Sequence, residues 1–276
     1  MSEQAKQGRP VVALMTDFGA GDGDVGVMKG VIASIVPEVQ VIDITHDVAP
    51  QNVASGAWIL GASYRYFPAG TVFVCVVDPG VGSERNAIAL AAGGWYFVGP
   101  DNGLFSQVLV EQPARGVVRL VNPAYHLAQV SSTFHGRDIF APVGAHLARG
   151  VSLEEVGQAF DPATLQRLSS GTQQRQEGGL SSRVIHVDHF GNLISGISLS
   201  AVPDWASAPG ARVIFPDRQI VIEQRRRYFA DGAEDGSPFF YGDSSGYLAV
   251  AVRNGSAART LGVGYGDAMT FVTNEK

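Results

Sequence analysis

Residues 11–26 read VVALMTDFGAGDGDVG, an apolar run that passes without interruption into a loop with glycines at 21, 23 and 26. The run is too continuously hydrophobic for a half-exposed strand and predicts one buried on both faces, the pattern of a parallel sheet. The same pattern returns in VQVIDI (39–44) and TVFVCVV (71–77). Between them lie GVMKGVIASIV and NVASGAWILGASYRYF, whose apolar residues recur at helical spacing, so the first 77 residues read as β-α-β-α-β. AIALAAG and WYFVGP follow as a hairpin through Gly93 and Gly94, and GRDIFAPVGAHLARG as a helix ending at Gly150.

From 163 to 182 the text changes to ATLQRLSSGTQQRQEGGLSS, polar and without periodicity. Beyond it SRVIHVD, GNLISGIS, ARVIFP, RQIVIE, YLAVAV and AMTFVT read as short strands of an antiparallel sandwich or barrel. The expectation is an α/β domain over 10–165, a linker over 166–182 and a β domain over 183–276. The first is expected to be a sandwich with a mostly parallel central sheet, the second smaller and barrel-like.

Composition narrows the function. The 276 residues are 45% hydrophobic and 17% charged with a net charge of −6, and only RRR at 225–227 is locally basic. Nucleic acid, which demands clustered Lys and Arg, is excluded as a partner. No apolar stretch reaches the roughly 20 residues of a membrane helix. The opening MSEQAKQGRP has no apolar core behind a basic end, so neither a signal nor a transit peptide is expected. The one cysteine, Cys75, reads as a buried strand residue and leaves no internal disulfide. A reducing cytoplasm is the expected compartment.

The three glycines, with Asp43 about 20 residues on, have the spacing of a dinucleotide fingerprint. The loop also holds Asp17, Asp22 and Asp24, and a pyrophosphate would be repelled there. Two unit charges 4 Å apart interact by about 4 kcal/mol at an effective dielectric near 20, here with the wrong sign. Carboxylates in a glycine loop suit ribose hydroxyls, a cationic ligand or a metal; the spacing is not that of an EF-hand. The plainer expectation is that one of these aspartates caps the following helix. Further on, Asp78 ends a buried strand in VVDPGVGSER, Arg85 closes the same motif, and His135 precedes a helix in STFHGRDIF. An Asp, an Arg and a His on separate turns could hold and deprotonate a water, although each alone reads equally as a turn or surface residue. His46 at a strand end is a second-tier candidate; His126 and His146 lack any paired-ligand spacing. In the second domain Asp188, Phe190 and Asn192 share a turn that could pair a carboxylate with an ammonium and stack and read a base. An ordinary β-turn gives the same letters. Ser244 and Ser245 in YGDSSGY are similarly ambiguous.

Taken in order, TDFG, VVDPGVGSER, GPDNGLF, TFHGRDIFAPVGAHLARG, DHFGNLI and GSAA resemble the S-adenosyl-L-methionine hydrolase (hydroxide adenosyltransferase) family, relatives of the bacterial fluorinase and chlorinase, over about residues 11–273. The resemblance implies attack of water or hydroxide on the ribose C5′ of S-adenosyl-L-methionine, giving adenosine and L-methionine without a metal or other cofactor. It puts the catalytic triad on Asp78, Arg85 and His135, the ribose hydroxyls on Asp17, the methionine end on Asp188 and Ser244, and the adenine near Phe190, Asn192 and Phe229. It also implies a homotrimer with active sites at subunit interfaces. The fluorinase pattern has a Tyr and a Thr where this chain has Asp78 and Val81, and a halide-binding Ser where it has Gly136, which favours hydrolase over 5′-halogenase. Asp24 stands where relatives often carry an aromatic residue. Two other classes stay open: a non-catalytic sensor of S-adenosyl-L-methionine or adenosine, and a metal-dependent hydrolase using Asp17, Asp22, His46 and Asp78 as ligands.

Overall fold

The computed structural model of the chain describes residues 9–168, 173–176, 178–231 and 234–274, so residues 169–172 and 177 of the expected linker lie outside the described residues. The chain forms two compact units divided after Leu168. Within the expected linker, the Gln166 and Leu168 amides donate to Asp101 Oδ1 and Ser106 Oγ at 2.9 Å.

The first unit is built on strands β1 (Val11–Thr16), β2 (Gln40–Thr45), β3 (Val72–Val76), β4 (Ala87–Ala92), β5 (Trp95–Pro100), β6 (Ala114–Arg119) and β7 (Gln158–Ala159), with helices α1 (Asp24–Ile35), α2 (Val53–Ser63), α3 (Ser106–Glu111) and α4 (Ala141–Ala148). The sheet order is β2-β1-β3-β5-β4-β6-β7. It is mixed: β2, β1, β3 and β5 pair in parallel, and the β4/β5 hairpin makes the remaining pairings antiparallel. Alternation along β1 and β3 splits their side chains between two cores. Val12, Leu14, Val72 and Val74 pack with α1 and α4, whereas Ala13, Met15, Phe73 and Cys75 pack with α2 and α3. Burial on both faces is why these strands read as unbroken apolar runs. VQVIDI departs from that expectation. As β2 it is the sheet's edge strand, and none of its residues is fully buried. Burial also pushes the Cys75 thiol far above its ordinary value, leaving it unreactive.

The second unit contains β8 (Gln174–Gln176), β9 (Gly179–Val187), β10 (Leu193–Ser198), β11 (Arg212–Phe215), β12 (Ile220–Ile222), β13 (Pro238–Gly242), β14 (Tyr247–Val252), β15 (Ala268–Val272) and helix α5 (Ala257–Leu261). Its strands pair antiparallel in the order β12-β11-β15-β9-β10-β14-β13, with β8 added against β9. The ends of this path approach each other. The Phe240 amide of β13 donates to Gln224 O just beyond β12, and the Arg226 amide donates to Phe240 O, giving a nearly closed barrel. The interior is apolar, with Val213, Phe215, Phe240, Leu248, Val250 and Met269 wholly or almost wholly buried. Among the described residues no helix is long and apolar enough to cross a membrane.

Close packing of β5 on β3 gives a first test. A Cβ on Gly99 would lie 2.3 Å from the backbone oxygen of Cys75, which cannot move aside as a side chain can. Gly99→Ala is expected to cost about 1–3 kcal/mol through overpacking. A urea titration should show this as a lower midpoint at unchanged slope.

Candidate active site

The chain leaves β1, crosses through α1 to β2, then returns through α2 to β3 on the other side of β1. Such a reversal opens a crevice at the carboxyl ends of the two strands it separates. Thr16 and Val76 are paired at those ends, so Asp17 and Asp78 leave the sheet from the ends of neighbouring strands. Asp17 Oδ2 accepts the Gln51 N–H at 2.7 Å, which ties its loop to the segment after β2.

Arg85 joins the other two sequence candidates. Its Nε donates to both oxygens of Asp78 at 3.0 Å, and one terminal nitrogen donates to Asp78 Oδ2. The same terminal nitrogen lies 2.7 Å from His135 Nδ1. A guanidinium cannot accept a hydrogen bond, so Nδ1 is the acceptor and the neutral ring carries its proton on Nε2. The Asp78 and Arg85 side chains are only 4% and 11% exposed, and the guanidinium lies 5.4 Å from the centre of the Phe140 ring. The His135 ring is held below its ordinary titration value, chiefly by burial and next by the charge of Arg85. Close approach of the supporting turns fixes this geometry. Gly82, at φ 77°, lies so near the Ser132 carbonyl that a Cβ would come within 2.2 Å of its oxygen. Phe18 packs edge-on against Phe134 with centroids 5.8 Å apart, joining the Asp17 loop to the His135 turn.

The helix expected over GRDIFAPVGAHLARG begins with one wide turn, a π-helix over Gly136–Phe140, before α4. Pro142 has no N–H for the Asp138 carbonyl, which instead accepts from the Leu127 amide at 2.9 Å. The buried Asp138 carboxylate also takes the Ser131 amide at 2.8 Å and the Arg137 Nε at 2.6 Å. Wide turns of this kind recur at functional sites.

Beside the Asp17 loop, half-buried His46 stands in a chain of partners. Its Nδ1 lies 2.9 Å from the Thr16 hydroxyl, its Nε2 3.0 Å from Asp43 Oδ1, and Lys29 Nζ donates to Asp43 Oδ2 at 2.6 Å. Burial works against ionisation of Asp43, but the hydrogen bonds of Lys29 and His46 outweigh it and hold its carboxyl below the ordinary value. The rival metal set is thus drawn to other partners: Asp78 to Arg85, Asp17 to Gln51, His46 to Asp43. Among the described residues no three His, Cys, Asp or Glu side chains cluster as metal ligands. Asp22 and Asp24 are exposed, and neither caps α1. Gly23 is its N-cap in the left-handed region without a side-chain bond, and Asp24 enters the first turn, where a carboxylate suits the helix dipole.

In the second unit Asp188 follows β9. Its Oδ1 accepts the amides of Phe190 and Asn192 at 2.9 and 2.8 Å, and its Oδ2 accepts Asn192 Nδ2 at 2.7 Å. The turn needs glycine at 191, where φ is 82° and a Cβ would meet Ser256 Oγ at 2.0 Å. The Phe190 ring is left 73% exposed. Phe190, Asn192 and Phe229 line one cavity of about 510 Å³ with His189, Asn254 and Arg259. Phe229 is steadied by Tyr241, ring to ring at 5.0 Å. Ser244 lies exposed in the β13/β14 turn and does not line this cavity.

The family model described as the SAM hydroxide adenosyltransferase N-terminal domain matches residues 12–157, and that of the C-terminal domain matches residues 182–270. The chain belongs to the SAM hydroxide adenosyltransferase family. It is 43% identical over 262 residues to an (R)-S-adenosyl-L-methionine hydrolase of Salinispora tropica, spanning 94% of this chain and 96% of that protein. To a protein of the same description from Thermus thermophilus it is 38% identical, over 92% of this chain and 96% of that one. A fluorinase of an Actinoplanes species is 30% identical over 88% of this chain and 91% of its own. The crystal structure of an uncharacterised conserved protein from Thermotoga maritima superposes with a TM-score of 0.86 at 34% identity, covering 95% of this chain and 99% of that one.

For this hydroxide adenosyltransferase family member the sequence reading missed Arg259, which stands on the short α5 just beyond the GSAA motif, and His189 beside Phe190. Motif position was the available signal for both. The partners of His46, Thr16 and Asp43, are brought to it only by parallel pairing and could not be read from the sequence. His46→Ala should leave the wholly buried Thr16 hydroxyl without that partner and cost about 1–3 kcal/mol, measured by chemical denaturation.

Proposed function

We propose that the protein hydrolyses S-adenosyl-L-methionine to adenosine and L-methionine. The observation that carries this reading is one guanidinium, Arg85, bound to both Asp78 and His135 at the switch point of a family member's sheet. The relatives named as hydrolases act on the (R)-sulfonium epimer by their names, and the same epimer is the expected substrate here. The substrate is a sulfonium cation with an ammonium group, and the carboxylates of Asp17, Asp78 and Asp188 on a chain of net charge −6 attract both.

The leaving thioether is already activated by its positive charge. The enzyme's task is to hold water in line behind C5′ and take its proton. The water oxygen bonds to C5′, the C5′–S electrons pass to sulfur as methionine departs, and the proton goes to Asp78. His135 Nδ1 is already occupied as acceptor from Arg85, which leaves Asp78 as the base and His135 as the group that orients Arg85. Asp17 holds the ribose hydroxyls; Asp188 and Ser244 serve the methionine end; Phe190, Asn192 and Phe229 serve the adenine. The two sets stand on different units, and the reading includes a homotrimer whose sites combine residues of neighbouring copies. Neither a metal nor an organic cofactor has a part in this chemistry. At Gly136 a Cβ would come within 3.3 Å of Met28 Sδ and of the Phe134 ring, so this chain has little room for the serine of the fluorinase pattern.

Purified protein incubated with each sulfonium epimer in chloride buffer, with and without EDTA, should release adenosine and methionine equally in both. Asp78→Asn and His135→Ala should lower kcat by about 10²- to 10⁴-fold. A 5′-chloro product would instead make the protein a halogenase, and tight binding without turnover a sensor. The pH profile has a definite sign. Protonated His135 must place an N–H where Arg85 now donates, so kcat should fall as the medium is acidified through the His135 titration. Because burial and Arg85 depress that titration, the acidic limb should lie below the ordinary imidazole value of 6.5.

A further inference from the structure

Asp78 and Arg85 stand at the two ends of one loop strung between β3 and β4. The loop is braced internally: the Val81 amide donates to Asp78 O at 3.2 Å, and Ser83 Oγ donates to Gly80 O at 2.6 Å. Its ends, however, are held from outside, by two consecutive residues of the GPDNGLF segment that the chemistry above does not use. At the entry, Asn102 Nδ2 donates to the Val77 carbonyl at 2.8 Å, one residue before Asp78. At the exit, the Asp101 amide donates to the Asn86 carbonyl at 2.9 Å, one residue after Arg85, and the Asn86 side chain bonds the Asp101 carboxyl.

The turn that supplies this grip is itself immobilised. Asn102 Oδ1 accepts the Leu104 amide at 3.2 Å, and Asp101 Oδ1 accepts the Gln166 amide at 2.9 Å. Asp101 is 6% exposed, and burial pushes its titration above the ordinary carboxylate value despite its hydrogen bonds. A buried carboxylate and a half-buried side-chain amide aimed at backbone atoms are costly groups to keep unless their position matters.

We infer that Asp101 and Asn102 are positioning residues for the hydrolytic step, clamping the peptide at both ends of the loop and so fixing the distance between Asp78, Arg85 and His135. The inference rests on the reading of those three as the water-activating set. Neither residue is assigned a contact with substrate. Asn102 acts through the Val77 carbonyl and the Asp101 carboxylate through the Asn86 side chain, and loss of either side chain changes the rate of the chemical step and leaves binding as it was. A misplacement of about 1 Å in such a set costs up to about 100-fold in rate.

Two variants separate the clamp from the turn. Asn102→Asp keeps an oxygen for the Leu104 amide and loses the donor to Val77, whereas Asn102→Ala loses both. Each would be compared with wild type in kcat, KM and thermal midpoint. The His135 ring would be followed by 15N NMR of the ligand-free protein, where Nδ1 should report its hydrogen bond from Arg85. In Asn102→Asp kcat should fall roughly 10- to 100-fold at unchanged KM, and the His135 Nδ1 resonance should move while the fold is retained. Unchanged kcat with an unmoved His135 signal would overturn the inference, as would a change confined to KM. Should Asn102→Ala not fold, Asn102→Asp decides alone. If wild type proves inactive on S-adenosyl-L-methionine, the functional reading falls, and the His135 resonance still decides whether Asn102 sets the geometry of the cluster.

Discussion

Arg85 keeps only 11% of its side chain in contact with solvent, and a cation so far from water must be met by opposite charge and by acceptors for its N–H groups. Asp78 supplies the charge, His135 accepts one N–H, and the Phe140 ring lies near the guanidinium. Each partner constrains a different stretch of chain. Asp78 must leave β3 at a set angle, His135 must stand at the head of the wide turn, and Phe140 must end that turn with its ring toward the sheet. Breaking the ion pair from either side would leave a buried charge uncompensated, which costs more than the pair itself contributes. The architecture of this corner follows from satisfying one planar cation.

Strands β1 and β3 were legible because burial on both faces removes the alternation a half-exposed strand needs, leaving an apolar run broken only by Thr16 at the end of β1. The same logic overreached at VQVIDI, which carries a similar run on the sheet's edge. β6 and β13 were not singled out, since ARGVVR mixes charges into its apolar run and PFFYG opens on a proline. Both pair in the sheets through backbone groups that their side chains do not advertise. The wide turn at 136–140 was invisible for a related reason. The sequence has Pro142 in plain view, but the unpaired Asp138 carbonyl it creates is answered by the amide of Leu127, eleven positions earlier.

The site divides along the same line. Asp78, Arg85 and His135 could be named from strand ends and turns, and the structure brings all three together. Phe190 and Asn192 were legible as an aromatic and an amide on one turn, Phe229 was placed by resemblance, and the three share one cavity, yet the same letters did not reveal Arg259 beside them. Ser244 was placed by resemblance alone and stands apart from that cavity. Asp188 was legible as a carboxylate at a turn. What could not be read is that both its oxygens are taken by its own loop, so that it shapes the turn displaying Phe190 whatever else it binds.

The charge balance of the triad bears on which nucleophile the corner accepts. Asp78 alone would repel an anion, and Arg85 alone would attract one. Bound as a fork-to-fork pair with a neutral imidazole, the three carry no net charge, and the field they present is that of local dipoles. Such a corner offers a halide no net attraction to offset the loss of its hydration, whereas a neutral water can donate to the carboxylate and accept from the guanidinium at once. In the reaction proposed above, activation occurs only as the water attacks: its proton moves onto Asp78 while the sulfonium charge disappears at the leaving sulfur. The positive charge of the substrate is thereby exchanged for a proton on the carboxylate. Arg85, unchanged in charge, holds Asp78 in place before and after the transfer. The distance between these groups must stay fixed while charge redistributes, and beside their own side-chain bonds the Asn102 side chain and the Asp101 amide hold the peptide at the two ends of their loop.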